Sequence, residues 1–542
     1  MDVLNSDLLL HVIQYLAVPD SGRLAATSKR FLFLVRSFQK LRGPQLVAST
    51  SRIPQVRTRQ RTFPEVCRDA VQQLQCKPSL ALYFGKADFG STPPEDLLSQ
   101  FLPTDTIQLG VMAASIQCCV SSEVECSSRD SLMLGSFPDV TILPFLLESG
   151  EQGDMHQILR DNDNNSFDCK VCMIFACGEN LCYAKLESTI LLIQNKYPQA
   201  TIVGGVCTSG FISLPSSSLP GDVANLSELE VNNIMRDLGC SVTIGVEEKQ
   251  SLVSNLMHIV QGQQYIAETV EEGVFGIMMG GDVPVRSVVS RGMRSMTLMG
   301  PPRPETSFWV KEAQYLRFGD DGFIFPDSSA PPYHQISSIE DRSTGKVYTY
   351  MEMMRQFGRA SLVGLRNPDE DGFTLCNVHQ LSSMVDFFLL FDASMGSESL
   401  QGKNMDLFEI NGDACLQDMD LRMQQLQDAL KDEELLGALM ISCNGRGPEA
   451  SHLLREEMAD AKRFRKAFPN IPCLGFYAGG EIGPLAQAAR QEVFQFGKAA
   501  LQGFTVVFAV FVVPKIDLST FHLDDGEDSV NLFATDYFVR ED

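Results

Sequence analysis

Residues 471–483 read Ile-Pro-Cys-Leu-Gly-Phe-Tyr-Ala-Gly-Gly-Glu-Ile-Gly, a short apolar run ending in closely spaced glycines. Working back from it, residues 448–468 carry apolar side chains at 450, 453, 454, 458, 461, 464 and 468 with charges between them. That is helical spacing, and Pro448 suits a first helical turn. Before this helix comes an apolar strand, Leu439 to Ser442, and then Cys443-Asn444-Gly445-Arg446-Gly447. Strand, glycine turn, helix, strand and glycine turn follow one another as in an α/β unit.

Outward from this unit, residues 346–515 read as one α/β region, with another amphipathic helix at Leu416 to Leu430 and a buried strand at Gly503 to Val513. That strand is too short to span a bilayer, which needs about 20 apolar residues. Residues 64–300 alternate short β-rich runs (Ser79 to Phe84, Thr106 to Ser115, Lys170 to Ala176, Thr201 to Val206, Val274 to Met279, Val285 to Ser290) with helical segments such as Pro64 to Leu74 and Leu181 to Lys196. The Pro- and Gly-rich stretch 301–345 between them reads as a linker, with strand character possible in Phe308 to Phe325. Residues 1–40 read as short helices, 41–63 as a basic linker and 516–542 as an acidic tail. The expected fold class is mixed α/β: a short all-helical segment followed by a large two-part α/β body.

The chain has 542 residues and a formal charge of −24, which disfavours nucleic acid and anionic membranes as partners because both would repel it. Residues 1–61 hold ten Lys or Arg against three Asp, so they carry +7 and the rest −31. A docking end on an acidic body and a solvated basic linker both fit that asymmetry. Fifteen cysteines lie scattered, several inside apolar runs, as reduced thiols of the cytoplasm or nucleus do. The N-terminus has Asp2 and Asp7 where a secretory signal would be basic.

At the N-terminus, Leu4, Leu8, Val12, Ile13 and Leu16 recur at helical spacing, and Leu24 and Phe31 continue the apolar set after Pro19. With Asp20, Arg23 and Arg30 among them, these residues resemble an F-box, although Asn5 stands where that family usually has Pro and Phe31 where it often has Trp. Val203 to Phe211 and Val283 to Gly292 resemble the N-terminal half of a FIST module. Cys443 to Gly447, Phe464 to Pro469 and Ile471 to Gly483 resemble its C-terminal half. Together they look like the F-box-only proteins that carry a FIST body, and their plant relatives. That resemblance implies a non-catalytic substrate-recognition subunit of an SCF ubiquitin ligase. Leu4, Leu8, Val12, Ile13, Leu16, Leu24 and Phe31 would bind the Skp adaptor, the cullin would follow, and the FIST body would hold protein substrates. The alternative it implies is an intracellular sensor of a small, amino-acid-like ligand.

The residues themselves point to one candidate site. Gly445 and Gly447 around Arg446, before a helix N-terminus, favour an anion or carboxylate, and Gly479 and Gly480 let a backbone approach Glu481, an acceptor for an amine. Equally, these glycines could serve only to close turns. Cys443 beside Arg446 and that helix start has the surroundings that lower a thiol pKa, and with His452 it could form a hydrolytic pair, yet no third orienting group is evident. Cys169, Cys172, Cys177 and Cys182 are spaced poorly for zinc, and Asp161, Asp163 and Asn165 open a calcium-like loop that lacks its glycine and its closing Glu. No nucleotide loop is present, so no metal, cofactor or catalytic residue is assigned.

Overall fold

The computed structural model describes residues 43–51, 61–74, 76–86, 94–119, 130–138, 140–148, 167–178, 183–215, 265–295, 308–317, 332–349, 362–366, 374–379, 388–391, 399–447, 454–485 and 498–514, with Met155, Glu352, Arg355 and Phe494 singly. The F-box-like residues Leu4, Leu8, Val12, Ile13, Leu16, Leu24 and Phe31 lie outside them, as do His452 and the acidic tail. The fold is mixed α/β and rich in strand.

Strand β1 (Gln45–Thr50) comes first, and three repeats of one pattern follow. The first runs α1 (Phe63–Gln73), β2 (Leu80–Lys86), α2 (Pro94–Phe101), β3 (Ile107–Ala113), β4 (Ile116–Cys119), β5 (Asp130–Ser136) and β6 (Val140–Glu148). The second runs β7 (Cys169–Cys177), α3 (Tyr183–Lys196), β8 (Thr201–Cys207), β9 (Ser209–Pro215), β10 (Tyr265–Val270), β11 (Gly273–Gly281) and β12 (Val285–Arg291). Strands β13 (Met293–Ser295), β14 (Phe308–Arg317), β15 (Pro332–Asp341), β16 (Val347–Thr349), β17 (Leu362–Arg366), β18 (Thr374–His379), β19 (Phe388–Phe391) and β20 (Asn404–Ile410) form a separate sheet. The third repeat runs α4 (Gly412–Ala429), β21 (Glu433–Cys443), α5 (Ala459–Ala467), β22 (Cys473–Ala478), β23 (Glu481–Pro484), β24 (Ala499–Gln502) and β25 (Thr505–Pro514).

Each repeat builds one sheet around a parallel pair separated by a helix: β2 with β3, β7 with β8, and β21 with β22. The repeat's own antiparallel strand, β5, β11 or β25, flanks the first strand of each pair. The second strand is flanked by a hairpin strand from a different repeat. Strand β9 of the second repeat pairs with β3. Strand β23 of the third pairs with β8, and β4 of the first pairs with β22. The outer places are exchanged as well, since β6 pairs with β11 and β12 with β25. The corresponding place beside β5 is taken by β1, from the start of the chain. The three repeats are therefore interlocked cyclically, and the two α/β parts expected from sequence share their sheets.

This arrangement follows from where the apolar residues point. Strands alternate faces, so each parallel pair offers one face to a common centre and one to its own helices. Leu82, Phe84, Val111, Met173, Phe175, Val203, Leu439, Ile441 and Phe476 meet in the central core. Phe476 lies 6.2 Å from Phe84 and 6.1 Å from Phe175 between ring centroids, so the three sheets pack level with one another. On the outside, α1 and α2 cover the first sheet, α3 the second, and α4 and α5 the third. Glu65 accepts the Thr62 N–H at 2.8 Å at the start of α1, and Asn411 Oδ1 accepts the Ala414 N–H at 3.0 Å at the start of α4.

Three expectations change. Residues 41–63, read as a linker, supply β1, a strand of the first sheet. Residues 301–345, also read as a linker, supply the ten-residue strands β14 and β15; their prolines sit at or beyond strand ends, where a missing N–H costs no ladder bond. With β19, β18, β17 and β20 these strands close a ring of antiparallel pairings. Finally, the helix expected over 448–468 is broken: Leu454 is helical, Arg455 and Met458 turn left-handed at φ 56° and 57°, and α5 starts only at Ala459.

Candidate functional site

The fold brings Cys443, Gly445, Arg446, Gly447, Gly479, Gly480 and Glu481 together where the parallel strands of the third sheet end. Cys443 ends β21, a 3₁₀ turn over Asn444–Arg446 follows, and Gly479 and Gly480 form the turn from β22 into the exchanged strand β23. Carboxyl ends of parallel strands are where α/β sheets usually expose binding groups.

Here most of those groups are committed internally. Arg446, expected to face an anion, is 1% exposed. Its Nε and Nη2 donate to the two carboxylate oxygens of Asp460 at 2.9 and 2.5 Å, and Nη1 donates to the Phe504 carbonyl at 3.4 Å. Burial opposes the guanidinium charge, but Asp460 more than offsets it and pushes the pKa of Arg446 up. Asp460 also accepts from Ser442 Oγ at 3.2 Å, and Ser442 in turn accepts from Gln117 Nε2 at 2.8 Å. The carboxylate belongs to the first turn of α5, where the helix dipole favours a negative charge. The break in the expected helix lets it begin at this point. Of the non-glycine residues with positive φ among those described, Phe504 accepts from Arg446 and Met458 caps the helix that carries Asp460. Backbone strain of this kind persists only where the surroundings impose it.

Glu481, expected to be an acceptor for a ligand amine, is fully buried. Its Oε2 accepts from Thr505 N–H at 3.1 Å and from Thr505 Oγ1 at 2.9 Å. Burial raises its pKa to about 8 against the lowering effect of those bonds, so at neutral pH the carboxyl is mostly protonated. Cys443, whose sequence neighbours could have lowered its pKa, instead has its thiol pushed up to about 12, first by burial and then by Glu481 within hydrogen-bonding reach. The positive charge of Arg446 is spent on Asp460, so it leaves little field to favour a thiolate.

The glycines serve close approach. Gly480 places its carbonyl on the Val206 N–H at 2.9 Å, and a Cβ there would stand 2.8 Å from Leu501. A Cβ on Gly445 would meet the Phe504 ring at 3.1 Å, and one on Gly447 the Tyr477 ring at 3.1 Å. What reaches the surface is Asn444 and Gly479, with Cys443 and Gly445 half-buried between them.

Equivalent positions in the other repeats are read from strand register. Cys443 faces Ala478, Cys177 faces Cys207, and Lys86 faces Ala113. Three residues earlier on the second strand, Gly475, Gly204 and Gly110 coincide. Sequence reasoning did not find Cys207 or Asp460 as site residues. The repeated runs Leu109–Ala113 (LGVMA), Val203–Cys207 (VGGVC) and Leu474–Ala478 (LGFYA) were the signal that could have found the first. None of the described cysteines forms a disulfide. No helix among the described residues is long and apolar enough to cross a membrane.

A FIST C domain is found at residues 394–484. It runs from just before β20 through the exchanged strand β23, and so covers the whole candidate site except Phe504 and Thr505. Among curated proteins, the chain is 28% identical over 254 residues to an uncharacterized protein of Mycobacterium bovis, across 45% of this chain and 55% of that protein. An uncharacterized protein of Mycobacterium tuberculosis matches to the same extent, and another is 26% identical over 252 residues. The chain spans about half the length of the curated relatives it matches.

Proposed function

We propose that the protein is the substrate-recognition subunit of an SCF-type ubiquitin ligase, itself non-catalytic, with the F-box-like residues 1–40 docking on the Skp adaptor and the FIST body holding protein targets. The observation that carries this reading is the place of β1. It begins at Gln45 and is hydrogen-bonded to β5 along its whole length. Whatever residues 1–40 bind is thereby joined, within five residues, to a strand of the interlocked body. A ligase adaptor contributes proximity, and proximity is effective only when target and transferring enzyme are held in a limited range of positions.

The candidate site supports a binding role over catalysis. A thiol with a pKa of about 12, a carboxyl neutral at pH 7 and an arginine held by Asp460 provide neither nucleophile nor base. Target capture is then assigned to the rim formed by the exposed Asn444 and Gly479 and the half-buried Gly445, with Arg446 and Glu481 holding that rim in shape. The test is capture of the Skp adaptor by the purified chain carrying Leu8→Glu or Leu16→Glu. Loss of the adaptor with an unchanged melting temperature is expected, and full retention in both variants would overturn the assignment.

A second reading rests on the FIST C domain: the body senses a small, amino-acid-like ligand with no ligase role. It predicts that free amino acids raise the melting temperature of a chain lacking residues 1–40, as a ligand that binds only the folded state must.

A further inference from the structure

The second sheet carries a cavity of about 330 Å³ that the proposed function leaves unused, lined by Leu146, Thr269, Val270, Glu271 and Glu272. It lies where the turn between β10 and β11 meets the end of β6, since Gly273 opens β11 opposite Glu148 on one side and Cys177 on the other. Cys177 ends β7, so the cavity stands at the carboxyl ends of the parallel strands, as the Asn444–Gly479 rim does. The two places share one end of the body: the Gly479 N–H donates to the Val206 carbonyl and the Val206 N–H to the Gly480 carbonyl, both at 2.9 Å. Strands β23, β8, β7 and β11 are consecutive neighbours, so three strand spacings, about 14 Å, separate the rim from the cavity. Half-buried Cys207 and exposed Thr208 lie between them. Residues 1–44 join at the other end of the strands, because Leu46 faces Gly135, which faces Leu80 at the start of β2.

We infer that this cavity receives a lysine or arginine side chain of the protein target, an inference that rests on the proposed role in target capture. The lining is divided in the way such a side chain is. Leu146 and Val270 offer an apolar wall to its methylene stem, and the carboxylates of Glu271 and Glu272 accept from its charged head. Neither carboxylate is paired with a cation among the described residues. Glu272 is seated against the end of β7, where Gly178, at φ 122°, leaves room for it: an added Cβ there would stand 2.5 Å from Glu272 Cγ. A hard metal ion fits this lining less well, since it takes six or more oxygens. No group of three or more His, Cys, Asp or Glu side chains among the described residues is arranged to hold one. The charge of −31 outside residues 1–61 steers a basic partner toward the body. The equivalent turn of the third repeat, Gly503-Phe504 between β24 and β25, carries no carboxylate, so the second repeat alone of these two offers the acidic cavity. An extended segment covers 14 Å in about four residues, which places the basic residue about four positions from the part of the target on Gly479.

The experiment is saturation-transfer NMR on the full chain with N-acetyl-arginine methylamide, compared with its neutral isostere N-acetyl-citrulline methylamide. The arginine probe should bind, and the citrulline probe should bind about tenfold more weakly or not at all. Glu271→Gln combined with Glu272→Gln should weaken the arginine probe about tenfold, and Glu271→Gln alone by less. Glu434→Gln, an exposed carboxylate near the opposite end of β21, should leave it unchanged. Glu271 sits on an exposed turn, so the single variant keeps the test decisive where the double one fails to fold. No binding of the arginine probe, equal binding of both probes, an unchanged response to the Gln substitutions, or an equal loss in Glu434→Gln would overturn the inference. Capture of the Skp adaptor is read in the same preparations. Retained adaptor with a silent cavity sinks this inference alone, whereas an unmodified chain that binds the arginine probe without the adaptor counts against the ligase reading and leaves the cavity's chemistry standing.

Discussion

The second and third repeats place a cysteine at the same point of the same strand and surround it differently. In the third, Cys443 meets a protonated Glu481, and beneath them Arg446 and Asp460 neutralise each other. In the second, Cys177 faces another thiol, Cys207, across the parallel strands, and both thiols donate to backbone carbonyls. One backbone scheme thus supports a polar cluster closed on itself and, at the equivalent point, a pair of facing thiols in apolar surroundings. The difference lies in what each exchanged hairpin brings. The turn after β22 delivers Glu481, whereas the turn after β8 delivers Ser209 and Gly210. In this fold the scaffold sets the position, and the exchanged strand sets the chemistry.

The sharpest way to break this comparison is to remove Asp460. With Arg446 left charged and buried, Asp460→Ala should cost about 3–5 kcal/mol in urea unfolding. Replacing both residues with apolar ones of similar size should cost less than either single change. A loss under about 1 kcal/mol for Asp460→Ala would mean the pair does not hold the site.

The equivalence of the repeats is tested next at their shared glycine. An added Cβ would stand 1.6 Å from the Ile174 carbonyl oxygen at Gly204 and 1.7 Å from that of Met440 at Gly475. At Gly110 it meets the ring of Phe211, a side chain, at 2.0 Å. Backbone cannot yield as a side chain can, so Gly204→Ala and Gly475→Ala should each cost roughly 2–3 kcal/mol and Gly110→Ala less. Equal losses at all three in calorimetry would set that ranking aside.

Glu481 gives the third test. Its folded pKa, about 8, lies above the ordinary 4.5, so between these values the folded state keeps a proton that the unfolded state has released. Stability from this group is present below pH 4.5, falls as pH rises toward 8 and levels off above it. Melting temperatures across that window should decline less steeply in Glu481→Gln than in the unsubstituted chain. Identical slopes would place the carboxyl outside the titration. The smallest effect is expected from an ion pair of the same kind at the surface: Lys77→Ala, losing Asp105, should change stability by less than about 1 kcal/mol.

Much of this was legible in the sequence. The β-branched run at Gly503 to Val513 and the glycine turns pointed to an α/β body and to the seven candidate residues, whereas the single helix read over 448–468 is broken before Ala459. Three features were hidden for physical reasons. Strand exchange between repeats is a long-range pairing, and local periodicity carries no information about which repeat a hairpin strand joins. Burial of Arg446 depends on Asp460, fourteen residues away across a helix break, and charged residues in sequence read as surface. Strands β14 and β15 were masked by the prolines around them.

The central claim, that the interlocked body is the receptor of a ubiquitin ligase, is tested most directly by affinity purification of the full chain beside one lacking residues 1–40. That deletion stops short of β1, so the first sheet stays complete. Co-elution of the Skp adaptor and cullin with the full chain, lost on deletion, is the predicted result. A full chain that elutes without either partner, or a deleted chain that keeps both, would contradict it.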